Sequence, residues 1–172
     1  ICISGLQVGV VNLFNKINGE SIGLLSYANN GLLNANVWQD EVGLSHFTLQ
    51  SGSQHLYTAY SVGAKTFDQH PVFAIGVGFG GQIESSRAYL DLSGHQYVVF
   101  EDIDTDYVRN HLSRLRGSFG IKLTNNISGF VGASANFLWN GKHKPLLSPW
   151  GGHKNVSTNG KYTTWPGYFV GI

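Results

Sequence analysis

Long segments without a helical period constrain this sequence more than any other feature. They combine β-branched, aromatic and small residues. In residues 115–123, one face would carry Leu, Gly, Phe, Ile and Leu, and the other Arg, Ser, Gly and Lys. Because side chains of a β-strand point alternately to its two faces, this pattern predicts strands. The segments are 55–67, 72–83, 87–100, 112–123, 127–139 and 162–172.

The length of these segments predicts how the strands are arranged. Strands of globular proteins usually have about five or six residues, whereas a strand tilted across a bilayer needs about nine to eleven. Several segments here are long enough to cross, and no apolar run approaches the roughly 18 residues of a spanning helix. We predict an all-β protein whose residues 35–172 form an antiparallel β-barrel of about 8 to 10 strands. Candidate girdle aromatics near segment ends are Tyr57, Tyr60, Phe67, Phe137, Trp139, Tyr162, Trp165, Tyr168 and Phe169.

A short internal repeat occupies residues 1–34. ISGLQVGVVN, beginning at Ile3, is followed fourteen positions later by INGESIGLLS, beginning at Ile17. Alternating bulky and small positions predict short strands with one bulky face. The period fits either an antiparallel meander or the coils of a stacked solenoid. Two copies are too few for a free-standing solenoid, so we expect the repeats to pack against another part of the protein.

Composition excludes several classes of protein. Lys and Arg total 11 against 10 Asp and Glu, which gives a net charge of +1 and no surplus for neutralising phosphates, so we expect no nucleic-acid partner. The single Cys2 cannot form an internal disulfide. Charged residues make up only 12% of the chain and concentrate in residues 101–116 and 142–161. The absence of methionine predicts a processed or partial chain.

Several stretches resemble one family of proteins. The repeats ISGLQVGVVN and INGESIGLLS, the segments LYTAYSVGAK, LSRLRGSFGIKL and ISGFVGASANFLW, and the closing WPGYFVGI are similar to bacterial surface-repeat-containing outer-membrane proteins. In that family, copies of a glycine-punctuated unit precede a barrel-like C-terminal region. The resemblance covers most of the chain, except that residues 82–111 match only in pattern. It implies a fold and a bacterial outer-membrane location, and no catalytic residues.

Two loops contain candidate binding residues. Asp102, Asp104 and Asp106 have the spacing that begins a calcium loop, but Tyr107 replaces the glycine an EF-hand requires. A looser calcium site remains a candidate beside a solvated acidic loop across residues 101–111. Residues 140–161 form a predicted long basic loop, in which Trp150, His143 and His153 are candidate ligand-binding residues.

Two further motifs have structural and chemical interpretations. Residues 76–81 match the glycine pattern of a dinucleotide site, but no helix is predicted to follow, so a strand with a small-residue face is favoured. Asp91, Ser93 and His95 would lie along one strand face without converging on a nucleophile, which favours a polar barrel wall over a hydrolytic site.

We therefore expect a bacterial outer-membrane or cell-surface β-barrel protein with a structural, adhesive or assembly role. We expect it to be non-enzymatic, to need no cofactor, and to have outer-membrane lipid and other surface or envelope proteins as partners. The alternative is a soluble secreted β-sandwich that binds glycans or assembles edge to edge with partner chains.

Overall fold

The computed structural model describes residues 2–3, 5–14, 16–17, 19–28, 31–53, 55–65, 71–103, 106–139, 157–158 and 162–172. These residues form strands and no helix. Hence no helix in the described part of the chain is long and apolar enough to cross a membrane. The strands are β1 (Cys2–Ile3), β2 (Leu6–Phe14), β3 (Lys16–Ile17), β4 (Glu20–Ala28), β5 (Leu32–Asp40), β6 (Ser45–Gly52), β7 (Leu56–Lys65), β8 (Val72–Glu84), β9 (Ala88–Ile103), β10 (Asp106–Lys122), β11 (Ser128–Trp139), β12 (Ser157–Thr158) and β13 (Tyr162–Gly171).

Eight strands close into an antiparallel β-barrel, which confirms the predicted fold class. Strands β5 to β11 pair with their neighbours in chain order. β13 then pairs with both β11 and β5 and so completes the ring. The closing seam between β13 and β5 is short, with Phe169 opposite Asp40 and Gly171 opposite Trp38. A closed sheet has no free edges, and the β-sandwich of the alternative expectation is not formed.

Most strand predictions match the observed bounds, with two differences. Strands β5 and β6 were not among the predicted segments, and β5 begins at Leu32, before the predicted barrel region. The acidic loop predicted at residues 101–111 is wrong, because β9 and β10 continue into it and pair Glu101 with Val108 and Asp102 with Tyr107. The backbone register of the two strands runs without a break from the pair Ile121–Ala88 to the pair Asp106–Ile103, so the ladder of the hairpin extends through this region.

The two ends of the barrel differ in their connections. At one end, which we call the short-turn end, neighbouring strands are joined by residues 53–55, 85–87 and 123–127. At the opposite end, β7 ends at Lys65 and β8 begins at Val72, β9 ends at Ile103 and β10 begins at Asp106, and β11 ends at Trp139 and β13 begins at Tyr162. The connection between β5 and β6 at that end, residues 41–44, folds into the barrel and buries Val42 and Leu44. We call these four residues the inserted turn.

The inserted turn has a defined local cause. The Asp40 carboxylate accepts hydrogen bonds from the backbone N–H groups of Val42 and Leu44, at 3.2 and 2.9 Å. Gly43 has a φ of +81°, a conformation that glycine adopts without a steric penalty. The turn therefore closes the lumen with an apolar cluster made of Val42, Leu44, Val72, Ala74, Tyr97, Val99, Leu112, Leu138 and Trp165.

The N-terminal repeats stack in parallel, so of the two expected arrangements the solenoid-like one is formed. β1 pairs with β3 and β2 with β4, and partners such as Leu6 and Glu20 lie one repeat apart. Gly19 lies against the Gly5 backbone, whose carbonyl accepts a hydrogen bond from the Glu20 N–H at 2.9 Å.

The repeats rest on the barrel wall near the short-turn end. Glu20 accepts a hydrogen bond from the Ser53 hydroxyl, and its other carboxylate oxygen lies 2.8 Å from Nδ1 of His55. Further along β4, the backbone carbonyl of Gly23 accepts a hydrogen bond from the hydroxyl of Thr58 on β7. The expectation that two repeats would lean on another part of the protein thus agrees with this packing.

Candidate functional site

Charged side chains of the barrel strands occupy lumen-facing positions wherever the structure describes them. Strand alternation places each of these residues on the inner face, and the ones near the middle are buried. This distribution is the inverse of that in a soluble globular protein, because here the enclosed lumen contains the charged side chains. The residues are Asp40, Lys65, Glu84, Asp91, Arg114, Arg116 and Lys122.

The centre of the lumen contains a buried ionic group. Arg114 Nη2 lies 2.9 Å from Asp40 Oδ2, and Nε2 of His46 lies 3.1 Å from the same oxygen. The His46 ring stacks on Trp38 with centroids 3.8 Å apart. Arg114 Nε also donates to Asn136 Oδ1 at 2.5 Å. Burial of these charges is tolerated because each has a partner.

A second carboxylate joins this group from the inserted turn. Glu41 Oε1 accepts hydrogen bonds from Asn136 Nδ2 at 3.0 Å and from the Trp165 indole at 2.6 Å. Gly167 faces the Glu41 carboxylate so closely that a Cβ there would overlap it. The network therefore joins the inserted turn to β10, β11 and β13 and fills the centre of the barrel.

Arg116 lies one lumen position nearer to the short-turn end. Its guanidinium carbon is 4.0 Å from the centroid of the Trp38 ring and 4.1 Å from that of Phe169, and these two rings pack edge to face, so the cation contacts both. The residue is only 7% exposed. Its Nε has no hydrogen-bond partner among the described residues. Arg116 is thus a fixed, buried cation with unused donor capacity.

Polar residues of β9 form a chain along the lumen wall. Ser93 lies 3.3 Å from Asp91 and 3.2 Å from His95 Nε2, while Tyr97 contacts His95 Nδ1 at 3.5 Å. The Tyr57 hydroxyl on β7 donates to the other Asp91 oxygen. Serine stands between the carboxylate and the histidine, whereas a hydrolytic triad places the histidine between serine and carboxylate.

The glycines of the dinucleotide-like motif lie inside β8 and not at a strand-to-helix turn. Gly76, Gly78 and Gly80 face the lumen, and Cβ atoms at these positions would overlap Tyr97, His95 and Tyr57. Small residues on β8 thus make room for large ones on the neighbouring strands. The favoured interpretation, a strand with a small-residue face, agrees with this arrangement.

A cavity of about 740 Å³ occupies the lumen at the short-turn end. Arg116, Asp91 and Ser118 contribute to its wall, and Lys122 lies near its mouth. Lys122 forms an ion pair with Glu84. The cavity and the charged centre together form the candidate site of this molecule.

The outer face of the barrel is mainly apolar, and its exposed polar residues include Gln96 and Ser113, which are hydrogen-bonded to each other. Along β8, every second residue from Phe73 to Phe79 and also Ile83 is a large hydrophobic residue with its side chain exposed. Other strands carry exposed side chains of the same kind: Leu33, Val37, Phe47, Leu49, Val62, Leu90, Leu92, Leu115, Phe119, Ile121, Val131, Phe137, Trp139, Tyr162, Tyr168 and Val170.

The aromatic residues predicted to form a girdle differ in the face of the barrel on which they lie. Phe137, Trp139, Tyr162 and Tyr168 face outward and are exposed. Three others were placed wrongly, because strand alternation turns them into the lumen, where they are at most 3% exposed: Tyr57, Trp165 and Phe169. Tyr60 faces outward and is half-buried, and Phe67 lies outside the described residues.

The predicted binding residues are largely outside the described residues. This holds for Asp104 and for Trp150, His143 and His153 of the basic segment. Asp102 and Asp106 lie on β9 and β10, where the structure describes the backbone but not their side chains. In the described part of the chain, no three His, Cys, Asp or Glu residues are grouped to hold a metal ion.

The buried ionic group was missed at the sequence level. The polar face of residues 115–123 was recognised, and its Arg116, Ser118 and Lys122 do line the lumen. Asp40 and Glu41 gave no comparable signal, because β5 was not recognised as a strand. A charged residue at a lumen position in the middle of a long strand, such as Arg114, is the feature that could have indicated the group.

Comparison with known proteins returns no match of this chain to any protein-family model, curated protein or solved structure.

Proposed function

We propose that this protein is a bacterial outer-membrane or cell-surface β-barrel protein with a structural or assembly role. Its eight barrel strands cross the bilayer, and lipid covers their outer face except where the repeats pack against β6 and β7 near the short-turn end. The observation that carries the proposal is the inverted distribution of side chains. Large apolar residues are exposed outside, whereas the charged residues of the barrel strands, where described, lie at lumen positions. Transmembrane barrels have this distribution.

The height of the apolar surface supports the proposal. Phe73 and Ile83 bound a stretch of β8 whose outward residues, except the partly buried Gly81, are exposed and apolar. At about 3.4 Å per residue these ten steps span roughly 34 Å, which a strand tilt of about 40° reduces to roughly 26 Å. A transmembrane barrel carries an apolar band about 25 Å tall.

Aromatic side chains at the end opposite the short turns fit a membrane interface. Trp139 and Tyr162 are paired in register on β11 and β13, and both are exposed. On the neighbouring part of the wall, Phe73 is paired with Phe100. Trp and Tyr concentrate where the hydrocarbon meets the headgroups.

The difference between the barrel ends suggests an orientation. Outer-membrane barrels have short periplasmic turns and longer extracellular loops. The short-turn end, and with it the N-terminal repeats, would then face the periplasm. This placement favours a structural or assembly role for the repeats over an adhesive one. The resemblance to surface-repeat outer-membrane proteins is consistent with the proposal.

A non-enzymatic role is part of the proposal. It is supported by the order of the polar residues along β9, in which Ser93 lies between Asp91 and His95. Ser93 is also buried, so a substrate would have no access to its hydroxyl.

A pair of matched substitutions tests the membrane location. Leu115 lies outward near the middle of the apolar surface, and Leu123 follows β10 at the short-turn end; both are exposed. Leu115→Arg should destabilise the barrel folded in lipid vesicles by about 2–4 kcal/mol, and Leu123→Arg by about 0–1 kcal/mol. Denaturant unfolding monitored by tryptophan fluorescence measures both. A soluble protein would tolerate either arginine equally, which would contradict the proposal, as would recovery of the native protein in the soluble rather than the outer-membrane fraction.

A further inference from the structure

The cavity at the short-turn end has the dimensions and chemistry of a binding site. Its volume of about 740 Å³ falls within the range of roughly 300–1,000 Å³ usual for small-molecule sites. It opens beside the turn at residues 123–127, and the charged centre of the barrel closes its inner end. Residues on both faces of β5 line it, including the outward Leu33 and Val37, so the cavity also reaches the side of the barrel.

Arg116 provides the anchor in this cavity. Its guanidinium carbon contacts the rings of Trp38 and Phe169, and its Nε lacks a hydrogen-bond partner in the described part of the chain. A buried donor without a partner costs free energy. A carboxylate can accept two parallel hydrogen bonds from a guanidinium, and such pairs are among the strongest that proteins form.

The other charged groups of the cavity wall already have partners. Lys122 is paired with Glu84 at the mouth. Asp91 accepts hydrogen bonds from the hydroxyls of Tyr57 and Ser93. With two acidic and two basic side chains in the wall, the cavity is close to neutral. It should therefore accept a single negative charge more readily than several.

The rest of the wall is suited to hydroxyl groups. Amide and hydroxyl side chains can each donate and accept hydrogen bonds. Tyr89 and Phe130 add aromatic surface, on which a sugar ring can pack. The amide and hydroxyl residues of the wall are Asn34, Asn36, Gln50, Gln82, Ser118, Asn125, Asn126 and Ser128.

We propose that the cavity binds a small polyhydroxylated monocarboxylate, such as a uronic acid. Its carboxylate accepts hydrogen bonds from Arg116, and its hydroxyls bond to the amide and hydroxyl groups of the wall. Because the cavity lies inside the barrel, this binding does not depend on whether the outer face contacts lipid.

Isothermal titration of the folded protein in detergent micelles tests the proposal, with D-glucuronate and D-glucose as probes. Both sugars fit the same space, but only glucuronate carries a carboxylate. We expect glucuronate to bind at least about tenfold more tightly than glucose. Equal affinities, or no binding of glucuronate up to about 10 mM, would overturn the proposal.

Two variants locate the site. Arg116→Gln should weaken glucuronate binding at least about tenfold and leave glucose binding nearly unchanged. The matched control Arg87→Gln removes an exposed cation at the same end and should have no effect. Unchanged glucuronate affinity in folded Arg116→Gln would reject the role of this residue. If that variant does not fold, Ser118→Leu, which fills the cavity and leaves Arg116 in place, should abolish binding, and retained binding would place the ligand elsewhere.

Discussion

Individual charged residues in the lumen depend on one another for stability. Asp40 contacts both Arg114 and His46, and it also orders the inserted turn through two backbone N–H groups. Removing one member of such a buried group leaves the other charge without compensation. The exposed pair formed by Lys122 and Glu84 at the mouth of the cavity is a different case, because water solvates either charge there.

Asp40→Asn should therefore destabilise the barrel by about 3–5 kcal/mol. The amide can still accept a hydrogen bond from the turn, so the loss reflects the missing charge opposite Arg114. Glu84→Gln serves as the control and should cost at most about 1 kcal/mol. Urea unfolding of both variants in detergent measures the difference, and similar small losses in the two variants would show that the central pair does not stabilise the fold.

The sequence pattern predicted that polar residues of β10 lie on one face of the strand. It did not predict which residues they contact across the lumen. Arg116, Ser118 and Lys122 share one face by alternation alone. The contact between Asp40 and Arg114 joins positions far apart in the chain, and no local pattern records it. Likewise the favourable stacking of His46 on Trp38 arises from the register of β5 and β6, neither of which the segment pattern identified.

At the level of elements, glycine positions account for much of the architecture. In β8, lumen-facing glycines admit the large side chains of β7 and β9. In the inserted turn, Gly43 instead provides a positive φ. Strand alternation predicted the small-residue face of β8. The inward fold of the inserted turn was not predicted, because it depends on the Asp40 carboxylate and on space inside the closed barrel.

The two uses of glycine predict different responses to alanine. Gly43→Ala should destabilise the protein by about 1–2 kcal/mol, because an alanine at this φ is strained. Gly94→Ala is the control, since a Cβ at that outward strand position would meet nothing within 4 Å. Thermal unfolding followed by circular dichroism compares them. Equal midpoints in the two variants would mean that the conformation of Gly43 does not limit stability.

The repeats illustrate where periodicity stops being informative. A period of fourteen residues predicted two short strands and their need for support. It did not choose between parallel and antiparallel pairing, because both allow this period. That choice depends on the close approach of Gly19 to the Gly5 backbone and on the contacts of Glu20 with the barrel turn at residues 53–55.

For the whole molecule, the small number of charged residues has a structural explanation. A barrel exposes one face of each strand to its surroundings and encloses the other. The outer face here is mainly apolar, and the described charges of its strands lie at lumen positions, where Arg114 pairs with Asp40. The fold class could be predicted from strand length and alternation, whereas the cavity and the buried ionic centre emerge only when the sheet closes.

A spin-label scan of β8 tests the central claim most directly. Cys2→Ser removes the native thiol, and single cysteines at positions 72 to 75, 77, 79 and 83 carry a nitroxide on the protein folded in lipid vesicles. The lumen-facing glycines Gly76, Gly78 and Gly80 are left unchanged, because a side chain there would overlap its neighbours. Oxygen concentrates in the hydrocarbon, whereas a charged nickel chelate stays in water. We predict that the outward positions, Phe73, Ile75, Val77 and Phe79, are accessible to oxygen and shielded from the chelate, with the buried lumen positions Val72 and Ala74 inaccessible to both. Outward positions that are readily accessible to the chelate along the whole strand would contradict a membrane-spanning barrel.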